Sequence, residues 1–278
     1  GARIMIDVEM VTVNGATLAA RVDGEAGKPW LVASNSLACT LESWDGQMAT
    51  FTRTHRVLRY DTRGHGRSSA PGGPYSLATF VADLVRLMNH FGIEKADMVG
   101  LSMGGMTGLG LAITHPERLR SLACCAARAD AIPPFIESWN TRIAAIRAAG
   151  GMQGVVDFTI ERWFTEAFRT ARPDVIAEAR RMILACDTQG YIACAEALKG
   201  LDYKRSLGSI KAPVLYVAGA SDGGAPPAAL QEMAALTPGA RFTEVAPAAH
   251  IIPMENPEGF NAVLGDWLSG RVAKGTPS

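Results

Sequence analysis

The chain lacks net charge: 27 lysines and arginines stand against 27 aspartates and glutamates, scattered along its 278 residues rather than run together. Nucleic acid and anionic membrane surfaces select for basic patches, so neither is an expected partner. No apolar run approaches the ~18 residues of a membrane-spanning helix, and no basic stretch followed by an apolar core opens the chain. A membrane span and a signal peptide are therefore not expected, and a cytoplasmic location is the default. Gly1 in place of methionine suggests a trimmed leader or tag, and the first few residues are left out of the reading. The five cysteines, Cys39, Cys124, Cys125, Cys186 and Cys194, are odd in number and form no Cys-x-x-Cys pair with matching histidines. That argues against a disulfide framework and against a zinc site. Internal repeats and low-complexity segments are missing too. So is a Gly-x-Gly-x-x-Gly fingerprint after any strand, which excludes dinucleotide binding.

What is present fits one globular α/β unit: 48% hydrophobic and 19% charged residues in 278. A chain of this size buries about three quarters of the surface it exposes when unfolded, so it needs no covalent staple. Two β patterns, 8–13 and 17–22, flank Asn14-Gly15, a pair suited to the positive φ angles of a hairpin turn. Apolar runs at 30–33, 56–60, 96–101, 119–126 and 214–218 then alternate with helical patterns such as 77–90 and 227–236, and a last strand near 241–245 and a helix near 257–268 close the domain. The expectation is an eight-stranded, mostly parallel sheet flanked by helices. Between 130 and 204 strand signals stop. Amphipathic helices carrying Trp139, Trp163, Phe164, Phe168, Met182 and Tyr191 take over. Residues 1–129 and 205–278 thus read as the core domain and 130–204 as an inserted helical lid. Most of its aromatics should glue helices together and a few, with Trp139 and Trp163 as candidates, should line a pocket. The tail 275–278 reads as frayed.

Val99-Gly100-Leu101-Ser102-Met103-Gly104-Gly105 carries the chemistry. Gly-x-Ser-x-Gly between a buried strand and a helix is a nucleophile elbow, a tight turn with strained backbone angles that flanking side chains would obstruct. It exposes Ser102 Oγ, and it aims the Met103 N–H and the helix N-terminus at a developing oxyanion. An ordinary glycine-rich turn is the bland alternative, and the strand–turn–helix context weighs against it.

The serine needs a base and an acid. His250 lies in a loop between the last strand and the last helix, where it can lean over the carboxyl edge of the sheet. His90 and His115 fall at helix C-termini, which explains them without catalysis, and His55 has no motif around it. Asp222 directly follows the 214–218 strand, giving the chain order Ser, Asp, His of α/β-hydrolases; Asp130, after the 119–126 strand, competes. Leu37 N–H, in the loop after the third strand, is the second candidate oxyanion donor. In the loop 61–68, Asp61 and Arg63 can tie loops together, and His65 reads as structural. Arg128 lies at the sheet edge where the lid begins and where ligands bind in open α/β sheets; it is the candidate for holding the substrate carboxylate that the resemblance given next implies, or else it pairs with Asp130 or a lid carboxylate.

These residues resemble the α/β-hydrolase fold enzymes and, within them, the 3-oxoadipate enol-lactonases. The resemblance spans nearly the whole chain. It is carried by Ser34-Asn35-Ser36-Leu37, the segment Arg59 through Ser68, Gly73-Pro74-Tyr75, Gly100 through Gly105, Arg162-Trp163-Phe164-Thr165, and His250 with Glu255-Asn256-Pro257. It implies a serine hydrolase that opens a small carboxylated lactone through an acyl-enzyme, with no metal or organic cofactor. Ala38 departs from the pattern where those lactonases usually have glycine; if that backbone needs positive φ, alanine strains it. The expected partner is a small-molecule lactone or ester, with a homo-oligomer left open. A carboxylesterase, a carbon–carbon bond hydrolase, a perhydrolase and a receptor that keeps the triad share the scaffold as alternatives.

Overall fold

A computed structural model describes residues 7–272; the expected frayed tail, 275–278, lies outside them. Eight strands form one sheet: β1 Glu9–Val13, β2 Ala16–Asp23, β3 Trp30–Ser34, β4 Arg56–Tyr60, β5 Ala96–Leu101, β6 Leu119–Cys125, β7 Val214–Gly219 and β8 Arg241–Val245. Their order is β1-β2-β4-β3-β5-β6-β7-β8. β2 pairs antiparallel with both β1 and β4, and all later pairings are parallel. At the hairpin, Asn14 and Gly15 have φ of 27° and 79°, the positive values the Asn-Gly pair favours, and Val13 pairs with Ala16. The central strands β5 and β7 are buried along their whole length, as strands covered by helices on both faces must be.

The covering helices are α1 Met48–Phe51, α2 Leu77–His90, α3 Met103–Thr114, α9 Pro227–Leu236, α10 Ile252–Glu255 and α11 Pro257–Val272. Ser76 caps α2 reciprocally with Thr79. Between β6 and β7 the chain runs through five further helices: α4 Pro133–Ala149, α5 Val156–Trp163, α6 Glu166–Ala171, α7 Pro173–Ala185 and α8 Thr188–Leu198. The two ends of this insertion meet at an antiparallel bridge between Asp130 and Asp202, beside an Ala131 N–H to Leu201 carbonyl bond of 3.0 Å. Among the described residues no helix is long and apolar enough to cross a membrane. All five cysteines are free and buried, with Cys124 and Cys125 inside β6.

The strand order places the site. After β3 the chain steps outward to β4, then returns past β3 to β5, so the loops leaving β3 and β5 diverge and leave a crevice above the carboxyl edge between them. In open α/β sheets that reversal is where ligands bind. The loop that follows Ser34 and the turn at Ser102 are these two loops.

Candidate active site

Ser102 has φ 55° and ψ −112°, a strained conformation held on both sides. Its N–H donates to the Cys125 carbonyl at 2.7 Å, and its carbonyl accepts from Met106 N–H at 2.9 Å. Glycine is required around it because the turn has no room: a Cβ on Gly100 would strike the Gly104 carbonyl, and one on Gly104 would strike the Ser34 carbonyl at the end of β3. The elbow and the loop after β3 are thus pressed together by the absence of two side chains.

Ser102 Oγ lies 3.0 Å from His250 Nε2, and His250 Nδ1 lies 2.8 Å from Asp222 Oδ2. The other carboxylate oxygen of Asp222 accepts from Gly224 N–H at 2.9 Å and Ala225 N–H at 3.2 Å. This anion is buried yet satisfied on both oxygens, and its orientation is fixed by backbone rather than by mobile side chains. Asp130 stands apart, 4.0 Å from Lys204 Nζ.

The His250 loop is anchored from three directions. His250 and Ile251 N–H groups both donate to the Trp163 carbonyl at 3.1 Å, at the end of α5. Glu255 Oε1 accepts from Ala249 N–H at 3.0 Å and from Thr165 N–H at 3.2 Å, and Thr165 Oγ1 donates to Oε2. Gly219, the last residue of β7, lies so close that a Cβ there would collide with the Ala249 carbonyl. Glu255 therefore joins the histidine loop to the inserted helices, a role its place in the sequence does not reveal.

Neither Leu37 N–H nor Met103 N–H has an acceptor among the described residues, whereas the N–H groups of Ser102, Ala38, Cys39 and Leu41 do. Ala38 N–H donates to His65 Nε2 at 2.9 Å, Cys39 N–H to the Ser36 carbonyl at 3.1 Å, and Leu41 N–H to Asp61 Oδ1 at 2.8 Å. Ala38 has φ 68°, the strained value anticipated for it. His65 Nδ1 lies 3.2 Å from the Arg63 carbonyl, which assigns it the proton and leaves Nε2 as acceptor. Burial pushes the His65 pKa down to about 4, keeping the ring neutral. Arg63 makes a two-pronged bond to Asp83, 2.6 and 2.8 Å. The loop 61–68 is structural, as read, and its product is the shape of the loop that carries Leu37.

A cavity of about 260 Å³ opens onto Ser102 and His250, and Arg128, Trp139 and Trp163 all line it. Arg128 meets neither Asp130 nor a lid carboxylate; its Nη1 donates to the Gly224 carbonyl at 3.2 Å. Two further arginines stand on the wall: Arg142, which the sequence did not single out, and Arg162, noted there only as part of the segment that carries the resemblance. Sequence reading also missed a buried cluster at the amino-terminal ends of β4, β5 and β6, the edge opposite the site, where His55 Nε2 lies 2.7 Å from Asp97 Oδ2 and Ser121 Oγ donates to Oδ1 at 2.7 Å. No group of three or more potential metal ligands occurs among the described residues.

Fold, elbow and strand order define the class, and the chain belongs to the α/β hydrolase fold family, which it matches over residues 29–257. Within that family it is related to lactonases and esterases. It is 35% identical over 251 residues to 3-oxoadipate enol-lactonase 2 of Acinetobacter baylyi, covering 90% of this chain and 91% of that one. The crystal structure of the enol-lactonase from Burkholderia xenovorans LB400 superposes with a TM-score of 0.90 at 38% identity, over 94% of this chain and 100% of that one. A thermophilic esterase from Thermogutta terrifontis, solved with malate bound, gives a TM-score of 0.87 at 27% identity over 95% and 99% of the two chains.

Proposed function

We propose that this hydrolase opens a small lactone bearing a carboxylate, most like an enol-lactone, with Ser102, His250 and Asp222 as its catalytic triad. The observation that carries the reading is the unbroken run from Ser102 Oγ through His250 to Asp222, at 3.0 and 2.8 Å, facing a cavity beside two unengaged N–H groups. Kinship with enol-lactonases supports the ring ester, and malate in the related esterase supports a carboxylate ligand.

His250 Nε2 takes the proton of Ser102 Oγ as that oxygen attacks the lactone carbonyl. The carbonyl oxygen becomes an anion and receives hydrogen bonds from Leu37 and Met103 N–H. Collapse breaks the ring C–O bond, and His250 returns its proton to the leaving oxygen. The leaving group stays tethered to the acyl chain, so it could reclose on the ester. An enol leaving group escapes that return by shifting to its ketone, which removes the nucleophile. Water then loses a proton to His250 and attacks the acyl-enzyme carbonyl; the C–Oγ bond breaks and His250 passes that proton to Ser102 Oγ, releasing the acid and restoring the enzyme. Asp222 holds the imidazole in the correct tautomer and stabilises its cation throughout. Residues 130–204 act as the lid over this cavity, with 1–129 and 205–278 as the catalytic core.

Steady-state turnover on a panel of lactones and esters, with and without carboxylates, tests the substrate. The carboxylated enol-lactone is expected to have the highest kcat/KM; preference for neutral esters would shift the reading to a carboxylesterase. Ser102→Ala tests the mechanism: it should keep the fold, abolish labelling by an organophosphonate and cost on the order of 10⁴-fold or more in kcat. Retention of most activity would refute the assignment.

A further inference from the structure

Arginines buried in this protein for structural reasons have carboxylate partners. Arg59 pairs with Asp23 at 2.9 Å and Asp45 at 2.6 Å, and Arg63 with Asp83 at 2.6 Å. The three that border the cavity, Arg128, Arg142 and Arg162, lie within 4.0 Å of no carboxylate among the described residues. All three are half-buried at the wall of one cavity, and a partly desolvated cation with no carboxylate beside it favours an anion entering that cavity.

The three are not equivalent. Arg128 is engaged by the Gly224 carbonyl. Arg142, on α4, and Arg162, at the end of α5, come from the inserted helices and converge on one ring: their Cζ atoms lie 5.0 and 5.4 Å from the Phe158 centroid. Arg142 also stacks on Trp139 at 4.0 Å and donates from Nη2 to Ser138 Oγ at 3.1 Å. Arg162 Nη2 reaches the Gly224 backbone closely enough to occupy the space of a side chain there, 2.7 Å from where a Cβ would sit. That glycine is two residues past the acid of the triad. Burial first, then the charge of Arg162, lowers the Arg142 pKa below its ordinary value. Arg142 lies against the Trp139 face and bonds Ser138 and Tyr191, Arg162 lies over the exposed Phe158 ring, and the Arg142 Nε–H is buried without a partner, so donors remain for a planar anion.

We propose that Arg142 and Arg162 together hold the substrate's carboxylate and set the pocket's preference for anionic substrates, while Arg128 braces the 222–225 loop through Gly224. This rests on the lactonase reading above and reassigns the carboxylate contact from Arg128 to the inserted helices.

The test has two arms. In the first, kcat/KM is measured on a carboxylated enol-lactone and on p-nitrophenyl acetate for wild type and for Arg142→Met, Arg162→Met and Arg128→Met. The lactone-to-ester ratio should fall about 30-fold in the Arg142 and Arg162 variants, through KM, which is the worth of ~2 kcal/mol for a lost charge-assisted bond. A fall in Arg128→Met, with the other two at the wild-type ratio, would overturn the proposal. Arg142→Lys and Arg162→Lys keep a charge without the fork; if a methionine variant fails to fold, a partial fall in its lysine counterpart carries the test, and an unchanged ratio overturns it. The second arm needs no turnover: calorimetric binding of adipate to Ser102→Ala should weaken at least tenfold when either arginine is replaced. Wild type that binds adipate through these arginines but opens no lactone would sink the lactonase reading and leave the clamp standing. Lactone turnover, with adipate binding indifferent to both arginines, would do the reverse.

Discussion

Asp222→Asn is the sharpest perturbation of the site because the structure dictates which way the new amide must face. In the wild type, Oδ2 accepts from His250 Nδ1–H while Oδ1 accepts from the Gly224 and Ala225 amides. A carboxamide has one oxygen for these two duties. With its oxygen toward His250, its NH₂ confronts two backbone donors, leaving two buried N–H groups unsatisfied at ~1–3 kcal/mol each. With its oxygen toward the loop, its NH₂ donates to His250 Nδ1, which moves the ring proton to Nε2. Two donors outweigh one. The second arrangement is favoured by ~2 kcal/mol at the least, so about one molecule in 30 retains a base able to take the Ser102 proton.

The negative charge beside the imidazolium is lost as well, which brings the expected deficit in kcat to the order of 10⁴-fold. Asp130→Asn, which disturbs only a half-exposed contact with Lys204, should change kcat less than about threefold. Initial rates on the carboxylated enol-lactone, with organophosphonate labelling rates as an independent measure of nucleophile activation, give the comparison. Nitrogen NMR of labelled His250 reads the tautomer directly: protonated Nδ1 in wild type, protonated Nε2 in the variant. Above a tenth of wild-type kcat in Asp222→Asn, or a crippled Asp130→Asn, would refute the reasoning.

Two other changes probe what shapes the site. His65, with its pKa lowered to about 4 against ~6.5 when unfolded, contributes stability that is present above the unfolded value and is lost as pH falls through 4. Asp61, raised to about 6 by burial, runs the other way, favouring the fold at low pH and losing that contribution as pH rises through 6, so the wild-type profile is flattened. Denaturant unfolding should therefore show that His65→Gln costs about 3 kcal/mol more at pH 7 than at pH 4; a pH-independent difference would contradict the buried neutral ring. Gly219→Ala should push the Ala249 carbonyl and displace His250, lowering kcat about 100-fold with a fall of only a few degrees in Tm. Wild-type kcat in that variant would show that the histidine loop is not held by this contact.

The parallel strands at the centre of the sheet were legible as short apolar runs, the first two strands from the Asn14-Gly15 turn between them, and the elbow because its glycines answer a local steric demand. The reading overran at Ala126, expected as the end of the sixth strand; with φ 49° it leaves the sheet after Cys125. Ser102, Asp222 and His250 could be brought together on paper because each follows a strand of one sheet, and parallel strands deliver their carboxyl ends to one edge. Arg142 and Arg162 could not. On an amphipathic helix an arginine reads as the solvated face, and only the tertiary fold brings these two to the wall of the cavity. Glu255 is silent for a similar reason: its partners, Ala249 and Thr165, lie on segments whose proximity is a property of the fold.

Ala38 shows how a local misfit is resolved at a distance. A left-handed alanine costs roughly 1–2 kcal/mol, and glycine at that position would remove the cost. The loop nevertheless holds φ 68° because the amides of Ala38, Cys39 and Leu41 are bonded to His65, Ser36 and Asp61. Three such bonds at ~1 kcal/mol each outweigh the strain. Two of the three acceptors belong to the loop 61–68, so that loop fixes the direction of the Leu37 N–H without touching substrate. Ala38 in turn borders the cavity. The strained residue therefore shapes the pocket wall, and the Asp61 and His65 side chains make the strained conformation tolerable.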